Sequence, residues 1–401
     1  MSPFTCSHCS HTVFFENSEC GFCNSLLGFV PAQRSMVAFE LPTPASGETV
    51  NPLPLDAWLR RGTDGAWLRP CANRINHGVC NWMLDVGDDA ALCISCRLTE
   101  VIPSLEDPNN LRRWAAIERA KRRLVFGLME IGLTPQPKTG PDDKLGLAFN
   151  LLENLPGAAS VMTGHDDGLI TLNIAEADDV FRESARVSMH EPLRTLLGHL
   201  RHEVSHYLQQ RYVAGTPGEL RCRALFGDHD ADYAAALQTH YANGAPADWS
   251  THFVSAYASS HPWEDWAESC AHYLLVIDAV QTASSWGLRL DGPTKAVTAD
   301  DLDPRVMPLK NLVLEQWLPV AQFLNSMNRS LGLPDSYPFL MPPQVLEKMQ
   351  LVQNLLALAA ASANHPVGPQ CGVAGGVDGI QSGALPTPDT LAQAASLPPI
   401  S

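Results

Sequence analysis

The sequence predicts an α+β fold: a cysteine-rich N-terminal region with some β-structure, then a mainly helical domain with a small sheet. Three observations carry this reading. Eight of the 11 cysteines fall before residue 100, in two groups of four. Beyond residue 107, apolar residues recur at helical spacing. One segment, residues 168–178, alternates apolar and polar side chains from Ile170 onward, as a half-buried strand does.

Size and charge narrow the classes further. A chain of 401 residues predicts two or three domains at about 100–200 residues each. Hydrophobic residues make up 45%, enough for a sizeable core. With 27 Lys plus Arg against 43 Asp plus Glu, the formal charge is −16. That balance repels a phosphate backbone and disfavours nucleic acid as a partner. No stretch approaches the roughly 18 continuous apolar residues of a membrane span. The first residues, Met1-Ser-Pro-Phe-Thr-Cys6, lack the basic and apolar regions of a signal peptide. The expectation is a soluble, cytoplasmic protein with no membrane partner.

Residues 1–30 hold Cys6-x2-Cys9 and Cys20-x2-Cys23, with Phe14 and Phe15 between the pairs and Gly21 inside the second. A CxxC turn aims two soft thiolates at one point, and two such turns close a four-sulfur zinc site. This segment reads as a zinc ribbon. Residues 31–105 read as a Pro-rich, loop-like connection over 31–70, followed by a second quartet, Cys71-x8-Cys80 and Cys93-x2-Cys96. Without a secretion signal, reduced metal-bound thiols are favoured over disulfides. His8, His11 and His77 lie nearby, but sulfur already fills four positions, so they read as neighbours or exposed groups. Cys222 and Cys270 read as buried small apolar groups.

Residues 106–363 form the second domain. Residues 111–131 make an amphipathic helix stopped by Gly132; its face of Arg112, Arg113, Lys121, Arg122 and Arg123 reads as solvated. Pro192 opens a helix with apolar Leu193, Leu196, Leu197, Leu200, Val204 and Leu208. Residues 215–250 are expected to be irregular, with a short helical piece near 231–240. Further helices are predicted over 262–282, 306–332 and 342–363. The tail, 364–401, is Gly, Pro, Ala and Ser without periodicity and reads as disordered.

The helix after Pro192 contains His202-Glu203-Val-Ser-His206, an HExxH string. Residues four apart share a helix face, so both imidazoles can meet one ion, and Glu203 can take a proton from water held there. A catalytic zinc wants a third protein ligand and an open fourth position. In His261-Pro-Trp-Glu264-Asp-Trp-Ala-Glu268, Pro262 suits a first helical turn and Glu264 and Glu268 share a face. Glu264 is the expected third ligand, and Glu268 could fix a ligand histidine's tautomer. Asp228, His229, Asp230, His240, His261 and His272 are competing candidates. His199, three before His202, is either a neighbour of the site or exposed. The metzincin extension is absent, because Gln209 and Tyr212 stand where its glycine and histidine would be.

The quartet Cys6/Cys9/Cys20/Cys23 with "LRHEVSHY" and "HPWEDWAESCAHYL" resembles the bacterial zinc-binding metallopeptidases that join an N-terminal zinc ribbon to an HExxH domain. The resemblance spans roughly residues 1–340 and implies a zincin-like, gluzincin-type fold and zinc as cofactor. A more distant similarity is to the peptidase domain of anthrax lethal factor. Its E-F-F-A-E helix matches Glu264-Asp-Trp-Ala-Glu268 and again implies Glu264 as ligand. The matching tyrosine, seven residues before, is Tyr257, which by resemblance donates to the oxyanion.

The expected function is a zinc-dependent hydrolase, a metallopeptidase acting on a peptide or protein, with one catalytic zinc and one or two structural ones. Substrate backbone would pair with residues 170–174, the presumed edge strand. The alternative is a binding module whose ribbons contact a protein partner while the HExxH fold is an inactive scaffold.

Overall fold

The computed structural model describes residues 3–41, 57–61, 67–157, 159–188, 191–292, 297–298 and 305–364. The predicted disordered tail lies outside them from residue 365 on, as does Cys371.

At the N-terminus, β1 (Phe4–Thr5) and β2 (Thr12–Val13) form an antiparallel pair around the first knuckle. A five-stranded antiparallel sheet follows in sequence order: β3 (Leu26–Val30), β4 (Ser35–Glu40), β5 (Trp58–Arg60), β6 (Trp67–Pro70) and, after helix α1 (Ala72–His77), β7 (Met83–Asp85). Phe29 N donates to Asn81 O at 2.8 Å, and a bridge Phe29↔Trp82 joins the first strand to the approach of the last. The sheet therefore curls toward closure. This corrects two expectations. Strands occupy much of 31–70, and a boundary at residue 30 would cut between hydrogen-bonded β3 and β4. Pro-rich composition hid strands of three to six residues. Residues 42–56, the centre of the expected loop, are outside the described set.

The second sheet has the order β10-β11-β9-β8. Its strands are β8 (Thr99–Val101), β9 (Ala148–Leu152), β10 (Gly164–Asp166) and β11 (Leu169–Asn173). The β8/β9 and β9/β11 pairs are parallel, and β10/β11 is an antiparallel hairpin. Its turn is Asp167-Gly168, both at positive φ (45° and 81°), the Asp-Gly arrangement of a two-residue hairpin. Thus β11 is shorter than predicted and is paired on both sides. Residues Ile174–Ala177 leave it as a 3-10 turn capped by Asn173. The expected edge strand is interior, and β10 occupies the edge.

Helix α2 (Pro108–Glu130) starts on an Asp107 cap, whose side chain accepts from Asn109 N. Its basic face is only partly solvated: Lys121 and Arg122 are buried, while the Arg112 and Arg123 side chains keep 66% and 40% exposure. Arg112 and Arg113 pair with Asp178, Arg123 with Glu16, and Arg122 donates to Val79 O. Lys121 is fully buried against Glu118 at 2.8 Å. Phe126 enters an aromatic cluster with Phe15 and Phe29 of the N-terminal module, at centroid distances of 5.3 and 5.4 Å. The two halves of the chain share one core.

Then come α3 (Asp179–Ser188), α4 (Leu196–Tyr212), α5 (Pro217–Phe226), α6 (Tyr233–Asn243), α7 (Trp249–His252) and α8 (Pro262–Ser285). Helix α4 begins at Leu196, not Pro192, because Thr195 supplies the cap by accepting from Gly198 N at 3.0 Å. Residues 215–250 are largely helical, with α5 and α6 capped by Thr216 and Asp232. After the pair β12 (Arg289–Leu290) and β13 (Val297–Thr298), α9 (Leu309–Asn311) runs through a π turn into α10 (Leu318–Ser330), and α11 (Pro343–Asn364) follows. Leu200, Val204 and Leu208 of α4 are buried in the core with Trp266 and Cys270 of α8. Trp266 Nε1 donates to Ser205 O at 2.9 Å and locks the crossing of α4 and α8. No helix among the described residues is long and apolar enough to cross a membrane.

Candidate metal centres

Among the described residues, three groups of metal-ligating side chains stand together, each with its donor atoms within 4.8 Å of one another. In the first, Cys6 Sγ lies 3.8 Å from Cys23 Sγ and Cys9 Sγ lies 3.7 Å from Cys20 Sγ. In the second, Cys80 and Cys93 sulfurs are 3.7 Å apart. A disulfide needs about 2.05 Å. Thiolates about 2.3 Å from a tetrahedral zinc stand about 3.8 Å from each other, so both quartets fit that ion. Backbone amides complete the second cage: Cys93 N donates to Cys71 Sγ at 3.3 Å and Trp82 N to Cys80 Sγ at 3.4 Å. Burial and the three neighbouring thiols push Cys93 well above its ordinary value, a cost that a coordinated cation reverses. His8, His11 and His77 join neither cage. His11 instead stacks on Phe22 at the ribbon surface, with centroids 3.4 Å apart.

The third group is built by α4 and α8. The HExxH spacing puts His202 and His206 one turn apart, and the first turn of α8 delivers Glu264. Its Oε2 lies 3.0 Å from His202 Nε2 and 3.6 Å from His206 Nε2. That oxygen is buried yet makes no aligned hydrogen bond. Nitrogen and oxygen ligands about 2.0–2.1 Å from a tetrahedral zinc would be separated by about 3.3 Å, so the donor set suits the ion. Burial alone would raise Glu264, but the two imidazoles hold its carboxyl well below the usual range.

Two of the three ligands, His202 and Glu264, are braced from behind by hydrogen bonds. Glu268 Oε1 lies 2.7 Å from His202 Nδ1. Burial opposes ionisation of Glu268, but His202 keeps it down at about 2. A carboxylate only accepts, so Nδ1 carries a proton toward Glu268, which leaves Nε2 as the nitrogen that would ligate once a cation displaces its proton. Ser255 Oγ donates to Glu268 Oε2 at 2.6 Å, and Tyr233 OH donates to Glu264 Oε1 at 2.7 Å. His206 lies nearly flat on Trp263, at 4.8 Å and 12°, with His165 of β10 on the sheet side at 6.1 Å. His165 accepts from Gly168 N at Nε2, and burial lowers it to about 4.

Glu203 is buried beside this cluster. Its burial favours the neutral form, but His199 and the neighbouring histidines hold its pKa below the usual value. The Tyr257 ring lies 6.0 Å from that of His202, and burial followed by the Glu264 carboxylate pushes its phenol up.

The competing ligands go elsewhere. Asp228 and Asp230 pair with Arg223, and His229 stands 3.6 Å from Glu219. His261 caps α8 by accepting from Trp263 N at 3.0 Å, while its other nitrogen faces Ala231 O. His272 pairs with Tyr337 OH at 2.7 Å. His240 sits at the rim, 6.2 Å from Tyr257. Sequence reasoning missed Tyr233, Ser255, His165, Glu176 and Arg194. The Asp232 cap before a run of helix formers and the Asp167-Gly168 hairpin signal could have placed Tyr233 and His165.

Residues 3–107 match a zinc-ribbon domain family, spanning both cysteine quartets. Uncharacterized proteins of Mycobacterium bovis and of two Mycobacterium tuberculosis strains are 40% identical over 357 residues, 89% of this chain and 95% of theirs. No solved structure matches. Residues 110–355 match the family described as "Putative zinc-binding metallo-peptidase", and the chain, a zinc-binding protein with an N-terminal zinc-ribbon region, belongs to that family.

Proposed function

We propose that this chain is a zinc-dependent peptidase. The observation that carries the reading is the approach of two imidazole nitrogens to one buried carboxylate oxygen, with Glu203 on the same helix. His202, His206 and Glu264 would hold the reactive ion, and the two cysteine quartets would hold structural ones. Zinc supplies a Lewis acid and lowers the pKa of a coordinated water to about 7.

The chain's own residues do the rest. Glu268 and Tyr233 keep His202 and Glu264 in their ligating orientations. Glu203, held ionised, takes the proton from water and passes it to the departing amine. Tyr257 keeps its phenolic proton and can donate to the developing oxyanion. An extended substrate segment would pair with the outer edge of β10, which no strand covers among the described residues.

The test is Glu203→Gln in the full chain, read as zinc content and as hydrolysis of a peptide library. Zinc should stay, and kcat should fall by about 10²–10⁴-fold, the scale of a lost general base. Hydrolysis equal to the parent's would overturn the reading.

A further inference from the structure

One turn before Glu203, on the same helix, stands His199. Its Nε2 lies 3.3 Å from Glu203 Oε1. On the other side of the ring, Nδ1 faces Arg194 Nη2 at 3.4 Å and Glu176 Oε1 at 3.6 Å. Arg194 donates to Glu176 Oε1 at 2.6 Å and to both oxygens of Glu191 at 2.9 and 3.2 Å. All of these but Glu191 are largely shielded from water, with side-chain exposures of 15% for His199, 12% for Arg194, 5% for Glu176 and 6% for Glu203.

The ring's protons follow from its neighbours. The Glu203 carboxylate can only accept, so Nε2 carries a hydrogen toward it. This holds whether Nδ1 accepts from Arg194 or donates to Glu176. His199 does not ligate; the donor cluster is His202, His206 and Glu264.

We infer that His199, clamped by Glu176 and Arg194, is the positioning residue for Glu203: its Nε2–H occupies Oε1 and leaves the other carboxylate oxygen for the water proton. The inference rests on the proposed role of Glu203 as base. A carboxylate with several rotamers loses reactive geometry when its partner is removed, and a displacement of about 1 Å costs on the order of 100-fold.

The experiment uses full-length, zinc-loaded chain and three variants. His199→Leu removes the donor at similar bulk. His199→Gln keeps an N–H donor at nearly the same reach. Glu203→Ala removes the acceptor. Expected for His199→Leu are unchanged zinc content, a KM within about twofold of the parent's and a kcat lowered by about 100-fold. His199→Gln should restore at least about tenfold of that loss.

A second readout does not depend on turnover. In histidine-labelled ¹⁵N spectra, His199 should give an Nε2–H signal that Glu203→Ala displaces. Full kcat in His199→Leu, or loss of zinc together with kcat, would overturn the inference; so would an Nε2–H signal indifferent to Glu203→Ala. An inert parent that still shows the displaced signal would sink the peptidase reading while upholding the His199–Glu203 contact.

Discussion

The sulfur centres and the histidine–glutamate centre solve opposite problems with similar economy. Each cysteine cage offers four sulfurs, and the second cage is wholly buried. Four sulfurs fill a tetrahedron and leave no position for substrate. The helical centre offers three donors from two crossing helices, with the buried Glu203 carboxylate and the phenols of Tyr233 and Tyr257 around it. Three donors leave a tetrahedron one position short, which is the opening the proposed chemistry needs. The contrast extends outward: ligands of the buried second cage accept from backbone amides, whereas His202 and Glu264 are steadied by a carboxylate and a phenol. A closed site is fixed by fold, and an open one is tuned by chemistry.

The contrast can be broken experimentally, and the largest effect belongs to the closed side. Structural zinc contributes about 10–16 kcal/mol of binding free energy in small zinc domains. Cys71→Ser should therefore lose the ion of its cage and unfold the N-terminal module, as read by metal analysis and thermal denaturation. Parent-like melting would make that cage dispensable and erase the distinction. Next comes the seam between the regions. Lys121→Ala leaves Glu118 buried without its cation and should cost about 3–5 kcal/mol in urea unfolding. A smaller effect is expected on the open side. Glu268→Gln should weaken metal retention at the histidine centre by about 10–100-fold while the cages keep theirs; metal competition with a chelator reads this directly. Smallest is Tyr233→Phe, which removes one hydrogen bond to Glu264. It should cost about 1–2 kcal/mol in metal affinity and nothing in the melting of the N-terminal module.

Legibility in the sequence followed the range of the forces involved. Both cysteine quartets and the His202/His206 pair were readable because ligand spacing is local: a knuckle or one helical turn sets it. Glu264 was readable for a different reason. Two glutamates on a buried helix face need partners, so a short string implied a long-range contact. The short strands β4 to β6 were not readable, because they are held by pairing to one another rather than by their own periodicity. The place of β11 inside its sheet was lost for the same reason, since the covering hairpin strand β10 has only three residues. The contacts of the basic residues of α2 are invisible locally, because their partners, Glu16, Val79 and Asp178, lie far away in the chain. His199 is ambiguous in the sequence because its partners come from a turn after β11 and a loop before α4.

Helix α2 has a consequence for anyone who would divide this molecule. Phe126 sits among the aromatic rings of the N-terminal module, and Arg122 and Arg123 grip that module's backbone and side chains. The opposite side of α2 adjoins α4, the helix that bears the histidines. Cutting the chain near residue 107 would strip an internal wall rather than detach an appendage. One rod of 23 residues thus belongs at once to the wall of the sulfur-bearing module and to the wall of the histidine-bearing one.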